Sequence, residues 1–447
     1  MTAITGYMPR VEFSPPPSMR REIAPWPAPA RLAFRFFAVY FTWYVLTTQM
    51  LGGLLLIPGL PVRDFGQLPP MKQLVLWVGT HVLDIHPTLH PTGSGDTAYD
   101  WSQSFTMVVI SAIVAIVWSV RSNATRHDRL LKWFFLFLRF ALGTTMLSYG
   151  FSKVVPLQMP TIFLSRLLEP YGNFSPMGVI WYSIGAAPGY ERFIGSAEVL
   201  GGVLLLLPPT ALLGALITFA VTTGVFMVNM TYDVPVKLFA FHLVVMSIVL
   251  FAPDIRRLLD MFVLHRAVDE KPAPRYGASE RAQRGWAIAQ VVFTIWALGL
   301  HTYQANKSWY TFGGGAPKSL FYGIWDIDSM TVDGTVRPPL TTDTTRYSHA
   351  VFQNQTAVRF QKMNQNFDNY SVKIDSTNHT VTLRNFADTT MSGTVAYQRP
   401  APDRLVLDGN LGGKRFQLVM TQHDLNKFLL VSRSQGIHWV QELPMNR

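Results

Sequence analysis

The 447-residue chain contains no cysteine. Disulfides, thiolate metal ligands and any thiol relay carried by the chain itself are therefore excluded, while other redox chemistry stays open. Charge is scarce as well: Asp, Glu, Lys and Arg make up 15% of the residues, against 49% hydrophobic and 13% aromatic. So little charge excludes a disordered or highly solvated chain and implies a surface that largely faces lipid. The charge present is skewed, with 38 basic against 27 acidic side chains and a net of +11. A nucleic-acid-binding protein would gather its basic residues in a polar module. Here they flank apolar runs, so no nucleic-acid partner is expected and the lipid bilayer is. Phosphate loops, nucleophile elbows, haem pairs, cluster motifs and dinucleotide fingerprints are also lacking. Electrons passing through this protein would have to come from a partner redox subunit or a soluble donor.

What is present is a series of long apolar stretches. A proline-rich tail, with Pro15, Pro16 and Pro17, precedes runs near 32–57, 103–120, 130–152, 191–207, 210–229, 236–252 and 286–303. Each is long enough to cross roughly 30 Å of hydrocarbon. The first is too long for a secretory signal and reads as a retained helix. Seven spans are thus expected. In alternate connections lie Arg10, Arg20, Arg21 and Arg31, then Arg121, Arg126, Arg129 and Lys132, then seven basic residues between Arg256 and Arg284. The other connections hold only Arg63, Lys72, Lys153 and Arg166. Fifteen against four places the N-terminus in the cytoplasm and everything after residue 304 outside. In a bacterium this means an inner-membrane protein whose C-terminal part is periplasmic.

The expected fold is an α-helical transmembrane bundle of about seven spans followed by an antiparallel β barrel or sandwich. Its parts are a cytoplasmic tail (1–31), two spans with a periplasmic loop (32–129), a four-helix bundle (130–260), a cytoplasmic loop (261–285), a seventh span with linker (286–315) and a periplasmic β domain (316–447). The β domain announces itself by alternating runs such as Ser371–Asp375 and Thr380–Arg384 around a turn at 376–378, and Arg404–Asp408 turning through Gly409–Gly413 into Phe416–Met420. Its opening Tyr322-Gly323-Ile324-Trp325 is similar to the Gly-x-Trp start of lipocalin-type barrels, with Arg433 as a partner for the Trp; an ordinary Gly before a core Trp is the alternative.

Ionisable residues inside spans normally face a bundle interior, a cavity or each other, since each costs roughly 2.5–3.5 kcal/mol on insertion. In the third span Arg139, Gly143, Met146, Gly150 and Lys153 fall on one helical face, and in the fourth Glu191, Gly195, Glu198 and Gly202 do the same. Small residues on such faces let helices approach closely. Glu198 lies roughly 12 Å below the outer boundary at about 1.5 Å per residue, a depth at which a carboxylate must be paired or protonated. Arg139, on the cytoplasmic side, is either a structural partner or snorkels inward. Between the fifth and sixth spans, Asp233 is placed to cap the next helix and to pair with Lys237 four residues on, and His242 follows. Tyr149, Lys153, Glu198, Asn229, Asp233, Lys237 and His242 all belong to the outer half of spans three to six, where one cavity would gather them. Each also has a plain structural reading: the lysines as interfacial anchors, Asp233 and Asn229 as helix ends, His242 as a hydrogen-bonded interior side chain.

The first outer loop holds His81, Asp84, His86, His90, Asp96 and Asp100, ligand types for a divalent metal. Pro87 and Pro91 break any regular spacing, and no metal site is assigned. Gly93–Asp96 reads as a turn with Asp100 or Ser102 capping the second span, and 71–85 as a short interfacial helix.

Residues 130–260 resemble the DoxX/DoxD-like family of small four-span membrane proteins. The likeness rests on Arg139-Phe-Ala-Leu-Gly143, Tyr149-Gly150-Phe-Ser-Lys153, Glu198-Val-Leu-Gly-Gly202, Asn229 with Tyr232-Asp233-Val-Pro-Val-Lys237 and His242, and Ala252-Pro253-Asp254-Ile-Arg256. That family includes the small subunit of thiosulfate:quinone oxidoreductases and proteins tied to thiol stress, so the resemblance implies quinone-linked or thiol-linked redox work. Gly150-x-x-Lys153 is also similar to a Gly-x-x-Lys in vitamin K-dependent carboxylases, where a lysine acts as base on a hydroquinone; the other motifs of those enzymes are not recognisable. The candidate roles are catalytic for Lys153, Glu198, His242 and Lys237, and cofactor-binding for Tyr149, Asn229 and Asp233, with a quinone as cofactor. The alternative is a non-enzymatic anchor or transporter whose β domain binds a lipid or other ligand.

Overall fold

The computed structural model describes residues 24–58, 64–89, 92–272 and 274–432. Most of the proline-rich tail, His90, Pro91 and Arg433 lie outside the described residues.

The helical part comprises α1 (Ala28–Thr47), α2 (Met50–Leu55), α3 (Met71–His81), α4 (Ala98–Arg121), α5 (Asp128–Val154), α6 (Pro176–Gly185), α7 (Pro188–Leu206), α8 (Ala211–Thr231), α9 (Lys237–Phe251), α10 (Ile255–Phe262) and α11 (Glu280–Thr311). Five described segments are long and apolar enough to cross a membrane: Ala98–Arg121, Asp128–Val154, Pro208–Thr231, Lys237–Phe262 and Glu280–Thr311. The stretches expected as the remaining two spans form the helices α1 and α7, which fall short of that class. Arg31 and Arg35 lower the hydropathy of α1, and α7 carries Glu191, Arg192 and Glu198.

The first apolar stretch, 32–57, is not one helix. Thr47 and Thr48 turn their hydroxyls back onto the carbonyls of Trp43 and Tyr44, Thr48 is extended, and the chain restarts as the short α2. At its other end α1 begins at Ala28, inside the expected tail, because Pro29 sits in the first turn where a missing N–H is harmless. The cap of α4 is Thr97, not Asp100 or Ser102: Thr97 Oγ1 accepts from the Asp100 amide while the Asp100 carboxylate accepts from the Thr97 amide.

The helices α5 and α7 cross in close contact, and glycines make it possible. A Cβ on Gly195 would stand 2.7 Å from the Gly150 carbonyl oxygen, and one on Gly202 would stand 2.8 Å from that of Gly143. The two backbones therefore touch at two levels, one helical pair of turns apart.

The C-terminal part is a closed antiparallel barrel of strands β1 (Lys318–Val332), β2 (Thr335–Arg337), β3 (Tyr347–Asn354), β4 (Ala357–Lys362), β5 (Phe367–Asp375), β6 (Thr380–Asn385), β7 (Ser392–Ala401), β8 (Arg404–Leu411) and β9 (Lys414–Gln422). Eight strands form the wall, with β2 a short hairpin arm on β1. The long β1 pairs with β3 through its first half and with β9 through its second, from Trp325 opposite Gln422 to Val332 opposite Phe416. Closure leaves no open edge in the wall, which removes a template for aggregation. The expected turn through Gly409–Gly413 is tighter than the composition suggests. Gly409 stays in β8, paired with Phe416, and only Gly412 and Gly413, both at positive φ, make the turn. Trp325 is fully buried and donates to the Phe321 carbonyl; Arg399 of β7 covers it.

The barrel is docked against the α5–α6 connection. Leu164 packs with Ile324 and Val351 on the outer barrel wall. The Leu164 amide donates to Gln353 Oε1 at 2.9 Å, and Arg359 donates to Ser165 Oγ at 3.0 Å.

Replacing Gly195 by Val forces the α5–α7 backbones apart, and overpacking of this kind destabilises by about 1–3 kcal/mol or more. In detergent, Gly195→Val is expected to lower the thermal unfolding midpoint, whereas Gly299→Val, at a position open within 4 Å, leaves it near wild type. Equal midpoints for the two would mean the glycine contact is not what holds the helices.

Candidate functional site

The glycine contact lies between the two charged residues. Because α5 and α7 run antiparallel, Lys153 and Glu198 stand one turn to opposite sides of the Gly150–Gly195 contact, and with the backbones this close the lysine side chain reaches back to the carboxylate. Lys153 Nζ donates to Glu198 Oε1 at 2.8 Å and to Oε2 at 2.7 Å, with the two residues only 4% and 2% exposed. Two of the three ammonium N–H groups are thereby used. Lys153 Nζ also stands 5.6 Å from the Tyr149 ring centroid, within cation–π range. The Tyr149 hydroxyl accepts from Gln49 Nε2 of the α1–α2 junction at 3.1 Å.

This pair borders a cavity of about 310 Å³. Its walls are apolar, including Met146, Phe193, Val225, Phe239 and Leu243; Lys153, Glu198, Tyr149 and Asn229 supply the polar groups; Gln158, Met159, Trp181 and Ile184, from the α5–α6 connection and α6, complete it. Tyr149, Val236 and Phe239 also line a second cavity of about 400 Å³ that is richer in polar groups, among them Gln49, Asp64, Gln67, Asp100 and Gln103. Asn229 Nδ2 donates to the Val236 carbonyl at 3.2 Å and the Asn229 carbonyl accepts from the Val234 amide at 3.0 Å, so this residue both lines the cavity and ties off the α8–α9 turn.

Four of the seven candidate residues, Tyr149, Lys153, Glu198 and Asn229, are thus brought to one cavity. The other three are not. His242 is buried on a different face of α9, where its Nε2 lies 2.6 Å from the Tyr40 hydroxyl, its Nδ1 lies 2.7 Å from the Leu238 carbonyl, and its ring stacks on Tyr44 at 4.0 Å. Asp233 and Lys237 form the expected ion pair at 2.7 Å, but Asp233 is exposed and the pair sits outside the cavity. Nor does Asp233 cap α9. That role falls to Asp96 of the α3–α4 loop, which accepts from the amides of Lys237 and Leu238, both at 2.8 Å. Among the described residues no three acidic, histidine or cysteine side chains cluster as a metal site.

Sequence reasoning put Glu191 on the right face and gave it no role. It is fully buried, two turns from Glu198; Oε1 accepts from the Met159 amide at 3.0 Å, and Oε2 has no partner among the described residues. The signal was available in the seven-residue spacing to Glu198. What hid it was its place near a span end, where a carboxylate is ordinarily solvated.

No family model matches the chain, and no solved structure is significantly similar to it. Among curated proteins, the chain is 33% identical over 124 residues to the uncharacterized protein YwoB of Bacillus subtilis (strain 168), a match covering 28% of this chain and 79% of that protein.

Removing one partner of a buried ion pair leaves the other charge uncompensated, which costs about 3–5 kcal/mol, whereas removing both is far milder. Lys153→Met and Glu198→Leu are each expected to destabilise the detergent-solubilised protein, and the double variant to recover most of the loss. A double variant that loses the sum of the two singles would show that the side chains do not interact.

Proposed function

The chain belongs to the same family as YwoB, and we propose that its helical bundle is a DoxX-like redox component that works on a quinone at the outer leaflet. The observation that carries this reading is the apolar cavity with a buried, bidentate Lys153–Glu198 pair in its wall. Its volume falls in the range of small-molecule sites, and its mix of apolar walls with a few convergent polar groups suits a flat ring bearing carbonyl oxygens. Met146, Phe193, Val225 and Phe239 would hold the ring. When bound, a quinone supplies an acceptor for two electrons and two protons.

The residues of the chain supply orientation and proton handling. The third N–H of Lys153, which has no acceptor among the described residues, would donate to a carbonyl oxygen and so fix the headgroup against the pair. A proton shared between Lys153 Nζ and Glu198 converts the ion pair into a neutral amine and carboxylic acid without changing the net charge at that depth, so the pair can hold or release a proton cheaply in a medium that penalises lone charges. Glu191 Oε2, buried toward the α5–α6 connection, is the next acceptor along α7. The absence of cysteine puts any thiol donor in a partner redox subunit or a soluble reductant.

The same reading takes α1, α4, α5, α7, α8, α9 and α11 as seven spans in an inner membrane, with the barrel in the periplasm. Two features support it: the fifteen-to-four distribution of basic residues over alternate connections, and the position of the barrel contacts beyond Val154, at the opposite end of the 27-residue α5 from Lys132, a helix about 40 Å long at about 1.5 Å per residue. The competing reading, a membrane-anchored or transport protein whose barrel is the binding module, has less support. The barrel interior is filled by Trp325, Phe352, Phe360 and Tyr370, which argues against a ligand held inside it.

The test is quinone content. Protein purified in mild detergent with added menaquinone or ubiquinone is extracted with solvent and the quinone quantified by mass spectrometry. Wild type is expected to hold close to one quinone per chain, and Lys153→Met about tenfold less at matched concentration, the loss of one charge-assisted hydrogen bond. Wild-type protein that holds no quinone above an unrelated membrane protein would end this reading.

A further inference from the structure

A second cavity lies at the other end of α5. It has a volume of about 530 Å³ and is bordered by Lys132, Arg139, Arg257 and Lys271 among its basic residues. Two of these four cations are ion-paired, and they share one carboxylate. Arg257 and Lys271 both pair with Asp254, at 3.1 and 2.5 Å, and the lining acid Asp128 is held by Arg126 at 2.7 Å. Lys132 donates to a carbonyl, that of Arg275. Arg139 is the exceptional member. It is 5% exposed, and its Nε and Nη2 donate to the carbonyls of Leu205 and Leu206 at the end of α7. Among the described residues it makes no ion pair. Carbonyls satisfy its hydrogen bonds without cancelling its unit charge, and a buried charge calls for a counter-charge.

The surroundings say what form that counter-charge takes. Lys132 and Arg139 are opposed by a single further lining acid, Glu270. Tyr276 lines the same cavity, with the Lys132 ammonium 5.7 Å from its ring centroid. Leu131, Phe135, Leu212 and Leu250 continue the cavity as an apolar floor along α5, α8 and α9. A planar guanidinium, an ammonium and a phenol above an apolar slot match a phosphate ester joined to a hydrocarbon body.

We propose that this cavity binds a phosphate group, with Arg139 and Lys132 as its cationic ligands and the apolar floor taking the hydrocarbon of a phospholipid. The site is independent of the Lys153–Glu198 cavity, so it stands or falls apart from the quinone reading. A soluble phosphate presents the same charge without the hydrocarbon.

The experiment uses the full-length chain, delipidated in detergent and followed by native mass spectrometry. Three probes are compared: dioctanoyl phosphatidylglycerol, dioctanoylglycerol, which has the same chains and no phosphate, and inorganic phosphate. The phospholipid is expected to bind one per chain and dioctanoylglycerol not to bind. Lys132→Gln, a change at a partly exposed residue that leaves Arg139 in place, is expected to weaken binding about fivefold, the effect of one interfacial basic residue, and Arg139→Gln to abolish it. Arg166→Gln, at the far end of the bundle, is expected to bind as wild type. Binding of inorganic phosphate as tightly as the phospholipid would keep the phosphate site and assign it to a soluble carrier. Equal binding of phospholipid and dioctanoylglycerol, or an unchanged dissociation constant in Lys132→Gln, would overturn the proposal.

Discussion

Lysine and glutamate are poor residues for the interior of a membrane bundle when taken singly, and Lys153 and Glu198 are both almost wholly buried. Their presence depends on a contact that involves neither side chain. Gly143 against Gly202 and Gly150 against Gly195 bring two helix backbones to a separation that any larger residue would prevent. At that separation the ammonium and the carboxylate reach each other through two hydrogen bonds near 2.7 Å, and each removes the other's reason to be expelled. The cavity follows from the same contact, because the side of α7 that carries Phe193 and Ile194 is left facing α8 and α9 across a gap that their apolar side chains do not fill.

The parts outside this crossing brace it from both ends. On the barrel side, Met159 of the α5–α6 connection donates to buried Glu191, while five residues on the same connection begins its contact with the barrel through Leu164 and Ser165. One segment thus contributes to the cavity boundary and carries the barrel. At the opposite end Arg139 of α5 holds the final carbonyls of α7, which fixes the register between the two helices that the glycines bring together. The N-terminal helices contribute from the side: Gln49 reaches Tyr149, Tyr40 and Tyr44 enclose His242, and Asp96 caps α9.

Much of the helical layout was legible in the sequence because long apolar runs have few alternatives to burial in helices, and the faces carrying Lys153 and Glu198 were legible because glycine and charge recur at offsets of four, seven and eleven. Other features depend on information that spacing does not contain. The helix α9 presents Phe239, Ala240 and Leu243 to the cavity and His242 to α1, and periodicity identifies faces without naming the neighbour each will meet. The cap of α9 comes from Asp96, about 140 residues away along the chain, while the nearer and chemically suitable Asp233 points into solvent. The break after Thr47 was masked by apolar residues on both sides of it, since hydropathy does not register two threonine hydroxyls bonding back to the preceding turn. In the β domain, alternation located the strands; the pairing of β1 with β9 that makes a barrel and not a sandwich is a long-range choice.

The central claim is that the cavity beside Lys153 and Glu198 receives a quinone headgroup. A photoreactive azidoquinone, illuminated with the full-length protein in lipid nanodiscs and mapped by peptide mass spectrometry, tests it most directly. The account predicts labels on the cavity-lining segments of α5, α7, α8 and α9, around Met146, Phe193, Val225 and Phe239, suppressed by excess unlabelled quinone. Labelling confined to the barrel, or spread over lipid-facing helices and insensitive to competition, would contradict it.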